Sequence, residues 1–180
     1  MTQKLYIPIG IPASGKTTYW NDHFDKEQVL RISRDDINSM LSGPVYTQNI
    51  NGVIKDSENV ILESALNAGF SLFIDRVNLT PKSRKRFINK AKSVKKNLYV
   101  VALYFEPNLK EAVLRNDSRT DKTLDQREKL EEFIPEAKRL LTKPSFDESF
   151  DEIHFIKPDG TTDRVEKVRE LDQEDELQVS

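Results

Sequence analysis

Residues 10–17 read Gly-Ile-Pro-Ala-Ser-Gly-Lys-Thr, and no other segment constrains the chain as strongly. The spacing is G-x-x-x-x-G-K-[ST], and the flanking residues supply the context that this spacing needs. Lys4–Ile9 before it is short and mostly apolar, the pattern of a buried strand. Residues 16–24 after it carry Tyr19, Trp20, His23 and Phe24 on one side, the pattern of a helix. A glycine turn between strand and helix lets successive backbone N–H groups point inward, and the helix presents its positive end to the same place. Such a loop cradles phosphates. Gly10, Ile11, Pro12, Ala13, Ser14, Gly15, Lys16, Thr17 and Thr18 are therefore the expected binding site for ATP or another nucleoside triphosphate. Lys16 is placed to reach the β- and γ-phosphates, and the Thr17 hydroxyl to hold Mg2+.

The rest of the chain alternates strand and helix signals. Val29–Ser33, Ser71–Ile74, Leu98–Phe105 and Glu152–Ile156 read as strands. Val53–Ala68 has a helical period with Gly69 as its stop, and Thr80-Pro81 opens another helix as cap and first turn. Pro107–Ser118 predicts a helix, and Leu124–Leu141 predicts a kinked helix or two abutting ones, because Pro135 interrupts it. The alternation predicts an α/β fold of the P-loop NTPase, nucleotide-kinase-like type: a parallel sheet of about five strands with helices on both faces. Residues 1–157 are expected to form that domain. Residues 158–180, polar and acidic, are expected to be a flexible tail.

Composition excludes several classes. There is no cysteine, and His23 and His154 lie far apart, so disulfides and a structural zinc site are not expected. No apolar run reaches membrane-spanning length, and Met1–Lys4 lacks a signal-peptide pattern, which predicts a soluble cytoplasmic protein without membrane attachment. Net charge is −2. Lys82 to Lys96 holds eight basic residues and no acidic one, but Phe87, Ile88, Ala91 and Val94 share one side of that helix, so the basic side reads as a solvated face.

Ligands of open parallel sheets bind at the carboxyl ends of the strands. That edge gathers three further groups. Ser33-Arg34-Asp35-Asp36 follows the second strand, where one carboxylate is placed to take a proton from an acceptor hydroxyl and the other to pair or cap. Both aspartates also suit plain helix capping. Asp75-Arg76-Val77-Asn78 ends the third strand; Asp75 is placed to organise the metal and Arg76 to bring positive charge, or the segment is a simple strand-end turn. Arg115 and Arg119 are four apart, on one face of a helix, as a pair that stabilises a transferring phosphoryl group or as two solvated arginines.

Taken in order, these residues resemble the kinase domain of the polynucleotide 5′-hydroxyl kinases, along residues 4–156. The likeness rests on Ile9-Gly-Ile-Pro-Ala-Ser-Gly-Lys-Thr-Thr18, Arg34-Asp35-Asp36, Asp75-Arg76-Val77-Asn78, Arg115-Asn116-x-x-Arg119, and the lead-in Lys143-Pro144-Ser-Phe-Asp-Glu-Ser-Phe-Asp-Glu-Ile153. It implies transfer of the ATP γ-phosphate to a 5′-hydroxyl end of DNA or RNA. Asp35 is implied as general base, and Lys16, Arg119 and Arg115 as the phosphate-holding catalytic set. Thr17 and Asp75 are implied on the metal side, and Arg34, Asp35, Arg76 and Asn78 toward the acceptor. Where phage members carry a phosphate-gripping arginine two residues after the second Asp, this chain has Asn38. Related P-loop kinases of small molecules, the zeta-toxin type included, share the loop and the strand-two aspartate, so a metabolite or nucleotide acceptor is one alternative; a nucleotide-operated binding module or switch without transfer is another.

Overall fold

The structure is a computed structural model that describes residues 2–43 and 48–168. In chain order the elements are β1 (Lys4–Ile9), α1 (Lys16–His23), β2 (Val29–Ser33), α2 (Arg34–Ser42), α3 (Asn51–Asn67) and β3 (Ser71–Asp75). Then come α4 (Pro81–Val94), β4 (Tyr99–Phe105), α5 (Leu109–Asp117), α6 (Leu124–Leu140), β5 (Glu152–Ile156) and β6 (Thr162–Lys167). The sheet order is β2-β3-β1-β4-β5-β6. Every pairing from β2 to β5 is parallel, and β6 runs antiparallel to β5.

Period-two alternation in the strands sorts the core onto the two faces of the sheet. Leu5, Ile7, Ile9, Leu72, Ile74, Val100 and Ala102 pack with Ile37, Ile54, Leu62 and Phe87 from α2, α3 and α4. Phe73, Val101, Leu103 and Phe105 pack on the other face with Tyr19 of α1. A third cluster of Ile11, Leu79, Ala112, Ile134 and Ala137 seats α5 and α6 directly on the loop after β1. That seat fixes the last two helices at the carboxyl edge of the sheet.

Two expectations change. The sheet has six strands, because Thr162–Lys167, expected in the flexible tail, pairs with β5. Its side chains are almost all exposed, so it lacks the buried alternation that marks a strand in sequence and is held by backbone pairing. Residues 169–180, the acidic end of the expected tail, lie outside the described residues. The second change is narrower: of the two arrangements expected around Pro135, two abutting helices are not formed, and Pro135 sits inside a single helix, α6. Pro135 and Glu131 are both on the exposed side, so the carbonyl left without a partner by the missing N–H faces water. Among the described residues, no helix is long and apolar enough to cross a membrane.

Candidate active site

The loop Gly10–Thr17 joins β1 to α1 as the spacing predicts. Ala13 and Gly15 take positive φ values of 56° and 94°, which turn the backbone into the cradle. Gly10 is needed for a different reason. A Cβ there would stand 2.7 Å from Ser14 Oγ and 3.0 Å from Phe105 Cβ, so a side chain would push the loop off β4. Lys16 is buried and folds back on its own loop, donating to Gly10 O (3.1 Å), Ile11 O (2.7 Å) and Ser14 Oγ (3.1 Å). Burial disfavours its ammonium form and pulls its pKa down to about 8; the Asp75 carboxylate opposes this and the Arg119 charge adds to it.

Thr17 and Asp75 come from different elements and meet, Thr17 Oγ1 donating to Asp75 Oδ2 at 2.9 Å. The same oxygen accepts from Arg31 Nη1 at 2.6 Å. Arg31 also reaches Asp36 Oδ2 through Nη2. The sequence reading did not single out Arg31. Its signal was a charged residue inside the apolar strand Val29-Leu-Arg-Ile-Ser33.

The aspartates after β2 do not cap α2. Ser33 does so, its side chain accepting from Asp36 N at 3.2 Å. Both carboxylates sit in the first turn, where the helix dipole favours them. They part company there. Asp36 pairs with Arg31 at the β3 side, whereas Asp35, with a side chain 72% exposed, faces Lys122 Nζ at 3.3 Å. Lys122 is the second residue missed, since it lies 87 positions from its partner.

Arg115 and Arg119 belong to α5 and the turn after it, against which α6 packs. Asn116 is fully buried and donates to Arg127 O (2.8 Å), while Arg127 Nη1 donates to Asp117 O (2.6 Å), so the end of α5 is tied to the first turn of α6. Arg115 lies against the phosphate loop: its Nη1 would be 3.4 Å from a Cβ on Gly15. It pairs with Glu111 and donates to Pro158 O at 2.6 Å. Arg119 was expected on the same helix face. It lies past the end of α5, in the turn, where Asp121 holds its guanidinium by two bonds of 2.9 and 2.7 Å. Its pKa is raised, first by the Asp121 hydrogen bond and further by the charges of Asp35 and Asp75.

The residues expected on the acceptor side divide. Arg34, in the first turn of α2, is half-buried and donates to Asn51 Oδ1 at 2.5 Å. Arg76 pairs with the buried Glu58 at 3.2 Å, a carboxylate that it shares with Arg86 at 2.8 Å. Desolvation lowers the Arg76 pKa, with Glu58 opposing and Arg34 nearby adding to the fall. Asn78 does not reach the cleft. It is 2% exposed, at φ 48°, and donates to Pro8 O, Ile74 O and Arg76 O. Its amide braces the ends of β1 and β3 behind the loop, helped by Gly10 N donating to Val77 O. Asn38 is buried too, donating to Gly43 O at the end of its own helix.

Comparison with known proteins places this geometry. The model of a family described as AAA domain matches residues 5–144. An L-seryl-tRNA(Sec) kinase of Methanococcus maripaludis is 26% identical over 172 residues, which cover 91% of this chain and 60% of that protein, so the chain spans less than two thirds of that relative's length. A chain of the Pnkp1/Rnl/Hen1 RNA repair complex matches with a TM-score of 0.60 and 22% identity, over 78% of this chain and 47% of that one. A structure of the PezAT chromosomal toxin-antitoxin system of Streptococcus pneumoniae matches with a TM-score of 0.64 and 14% identity, over 96% and 76%. The sheet order, the phosphate loop on β1 and the match over residues 5–144 lead to one conclusion: the chain has a P-loop kinase fold and belongs to the AAA domain family.

Proposed function

We propose that the chain is an ATP-dependent kinase whose acceptor is a 5′-hydroxyl end of DNA or RNA. The observation that carries the kinase reading is the meeting of the phosphate loop with the end of β3: Thr17 Oγ1 donates to Asp75 Oδ2 at 2.9 Å beside the buried Lys16, with Arg115 against the same loop. The charge of Arg119 acts on Lys16 and is itself influenced by Asp35 and Asp75. In the proposed reaction Asp35 takes the acceptor hydroxyl proton as that oxygen bonds to the γ-phosphorus. The bond from that phosphorus to the β–γ bridging oxygen breaks, and ADP leaves. Lys16 turns from its loop carbonyls to the phosphates, and Arg119 and Arg115 stabilise the charge spread over the γ-oxygens. Lys122 gives up Asp35 when the acceptor enters. The hydroxyl of Thr17 and the carboxylate of Asp75 are hard oxygen donors that fit Mg2+, which leaves water and phosphate oxygens to complete its shell. When bound, Mg2+ supplies charge neutralisation on the phosphates.

The polynucleotide acceptor is supported by the Arg34-Asp35-Asp36 and Arg115-x-x-x-Arg119 likeness. It is also supported by two relatives whose names tie them to RNA, one to L-seryl-tRNA(Sec) and one to RNA repair. Arg34 and Arg76 supply cations that suit backbone phosphates, which position a strand without reading its bases. The test compares phosphorylation of a 5′-hydroxyl oligonucleotide with that of a free nucleoside across a salt series. The oligonucleotide should be preferred, with affinity falling at a log–log slope of about −0.7 for each phosphate held. Equal or better turnover of the nucleoside, without a salt effect, rejects this acceptor and favours a small-molecule kinase.

A further inference from the structure

Arg31 stands in the middle of β2 and joins Asp75, at the end of β3, to Asp36 in the first turn of α2. Its Nη1 is 2.6 Å from Asp75 Oδ2, its Nη2 is on Asp36 Oδ2, and the Trp20 ring lies beneath the guanidinium, 5.3 Å from centroid to Cζ. Asp75 Oδ2 also accepts the Thr17 hydroxyl. The oxygen on which a metal would draw therefore already holds one hydroxyl donor and one full positive charge. A divalent cation meeting Thr17 and Asp75 without a triphosphate finds two protein donors, one of them neutralised, and hard cations need several oxygens. The Asp36 side chain is 63% exposed and so has room to follow the guanidinium as it shifts, and the Trp20 face supports it during the shift.

We infer that Arg31 is a positioning residue that makes metal binding depend on the nucleotide. It neutralises Asp75 while the loop is empty. It yields that carboxylate and keeps Asp36 when the cation arrives with phosphate oxygens that complete its shell. Arg31 also holds Asp36 toward β3, which leaves Asp35 as the carboxylate facing Lys122. The inference rests on the reading of Thr17 and Asp75 as the metal pair.

The experiment titrates Mn2+ into the protein and follows free Mn2+ by electron paramagnetic resonance, with and without a non-hydrolysable ATP analogue. Without nucleotide, Arg31→Gln should bind Mn2+ at least about fivefold more tightly than wild type, because a positive charge next to the carboxylate is gone. Arg31→Lys, which keeps the charge and serves if the glutamine variant fails to fold, should stay close to wild type when nucleotide-free. With the analogue present, wild type and Arg31→Lys should bind Mn2+ alike. Nucleotide-free affinities that match in wild type and Arg31→Gln overturn the inference, and so does a several-fold tightening in a folded Arg31→Lys. Asp75→Asn separates the two levels. If it leaves Mn2+ affinity unchanged in the analogue complex, the metal pair itself is wrong. If it weakens that affinity while Arg31→Gln changes nothing, only the role of Arg31 fails.

Discussion

Lys16 gives the sharpest quantitative expectation, because its burial and its bonds make its charge conditional. Its pKa in the nucleotide-free protein is about 8, against an ordinary 10.5. At pH 7 about nine in ten molecules carry the ammonium, and at pH 9 about one in eleven does. A triphosphate needs the charged form and restores it, so ATP binding at pH 9 must draw a proton from solution. Apparent ATP affinity should then fall about tenfold from pH 7 to pH 9, with uptake of about one proton per ATP at pH 9 and about none at pH 7. Calorimetry in two buffers of different ionisation heat reads the proton count directly, and Lys16→Ala should lose the uptake. The sign for stability follows the same linkage. Below about pH 8 the folded chain bears the cost of a buried charge. From about pH 8 to 10.5 the unfolded chain holds a proton that the folded one lacks, so stability rises by up to about 3 kcal/mol from this group. Constant affinity and no proton uptake at pH 9 would refute the reasoning.

Asp35→Asn should cost about 10²–10⁴-fold in transfer with ATP affinity nearly intact, and Asp36→Asn far less, since Asp36 is bound to Arg31. A larger loss in Asp36→Asn than in Asp35→Asn means the base is the other carboxylate. Arg119→Ala should lower kcat much more than it raises the acceptor KM, as expected of a contact to charge that develops in the transition state. A change confined to KM makes Arg119 a binding residue. Arg84 is fully buried and paired by two 2.6 Å bonds to Glu148, with three backbone carbonyls on its remaining nitrogen. Arg84→Leu leaves Glu148 buried without its partner and should cost about 3–5 kcal/mol in urea unfolding. A loss below about 1 kcal/mol would show that this pair does not clamp α4 to the segment before β5.

What the sequence made legible was local. The phosphate loop, the five parallel strands and the cap at Thr80 depend on residues within a few positions of each other, so spacing reveals them. The pairing of Thr17 with Asp75 was also within reach, because strand order places both on one edge. What stayed hidden depends on contacts between distant segments. Asn78 matched a motif step expected to face the acceptor, yet the positive φ at that residue turns its amide inward to three carbonyls. Arg119 kept its four-residue spacing from Arg115 but lost the helix that would have given the spacing meaning. Of the eight basic residues in Lys82–Lys96, Arg84 went to the core and Arg86 to the buried Glu58, so counting charges on a helix wheel overstated the solvated face. Arg31 and Lys122 each find partners that no local rule names.

The central claim is that this site moves phosphate to a hydroxyl with Asp35 as base and does not merely hydrolyse nucleotide. The measurement is a single-turnover reaction with γ-labelled ATP and a 5′-hydroxyl oligonucleotide, run for wild type and Asp35→Asn, with label in the oligonucleotide end and in free phosphate counted separately. Wild type should place label at the 5′ end, none should enter an oligonucleotide that already bears a 5′-phosphate, and Asp35→Asn should bind ATP yet transfer at least about a hundredfold more slowly. Label found only in free phosphate, released at the same rate by both proteins, would contradict the claim and make the chain a nucleotide-operated switch.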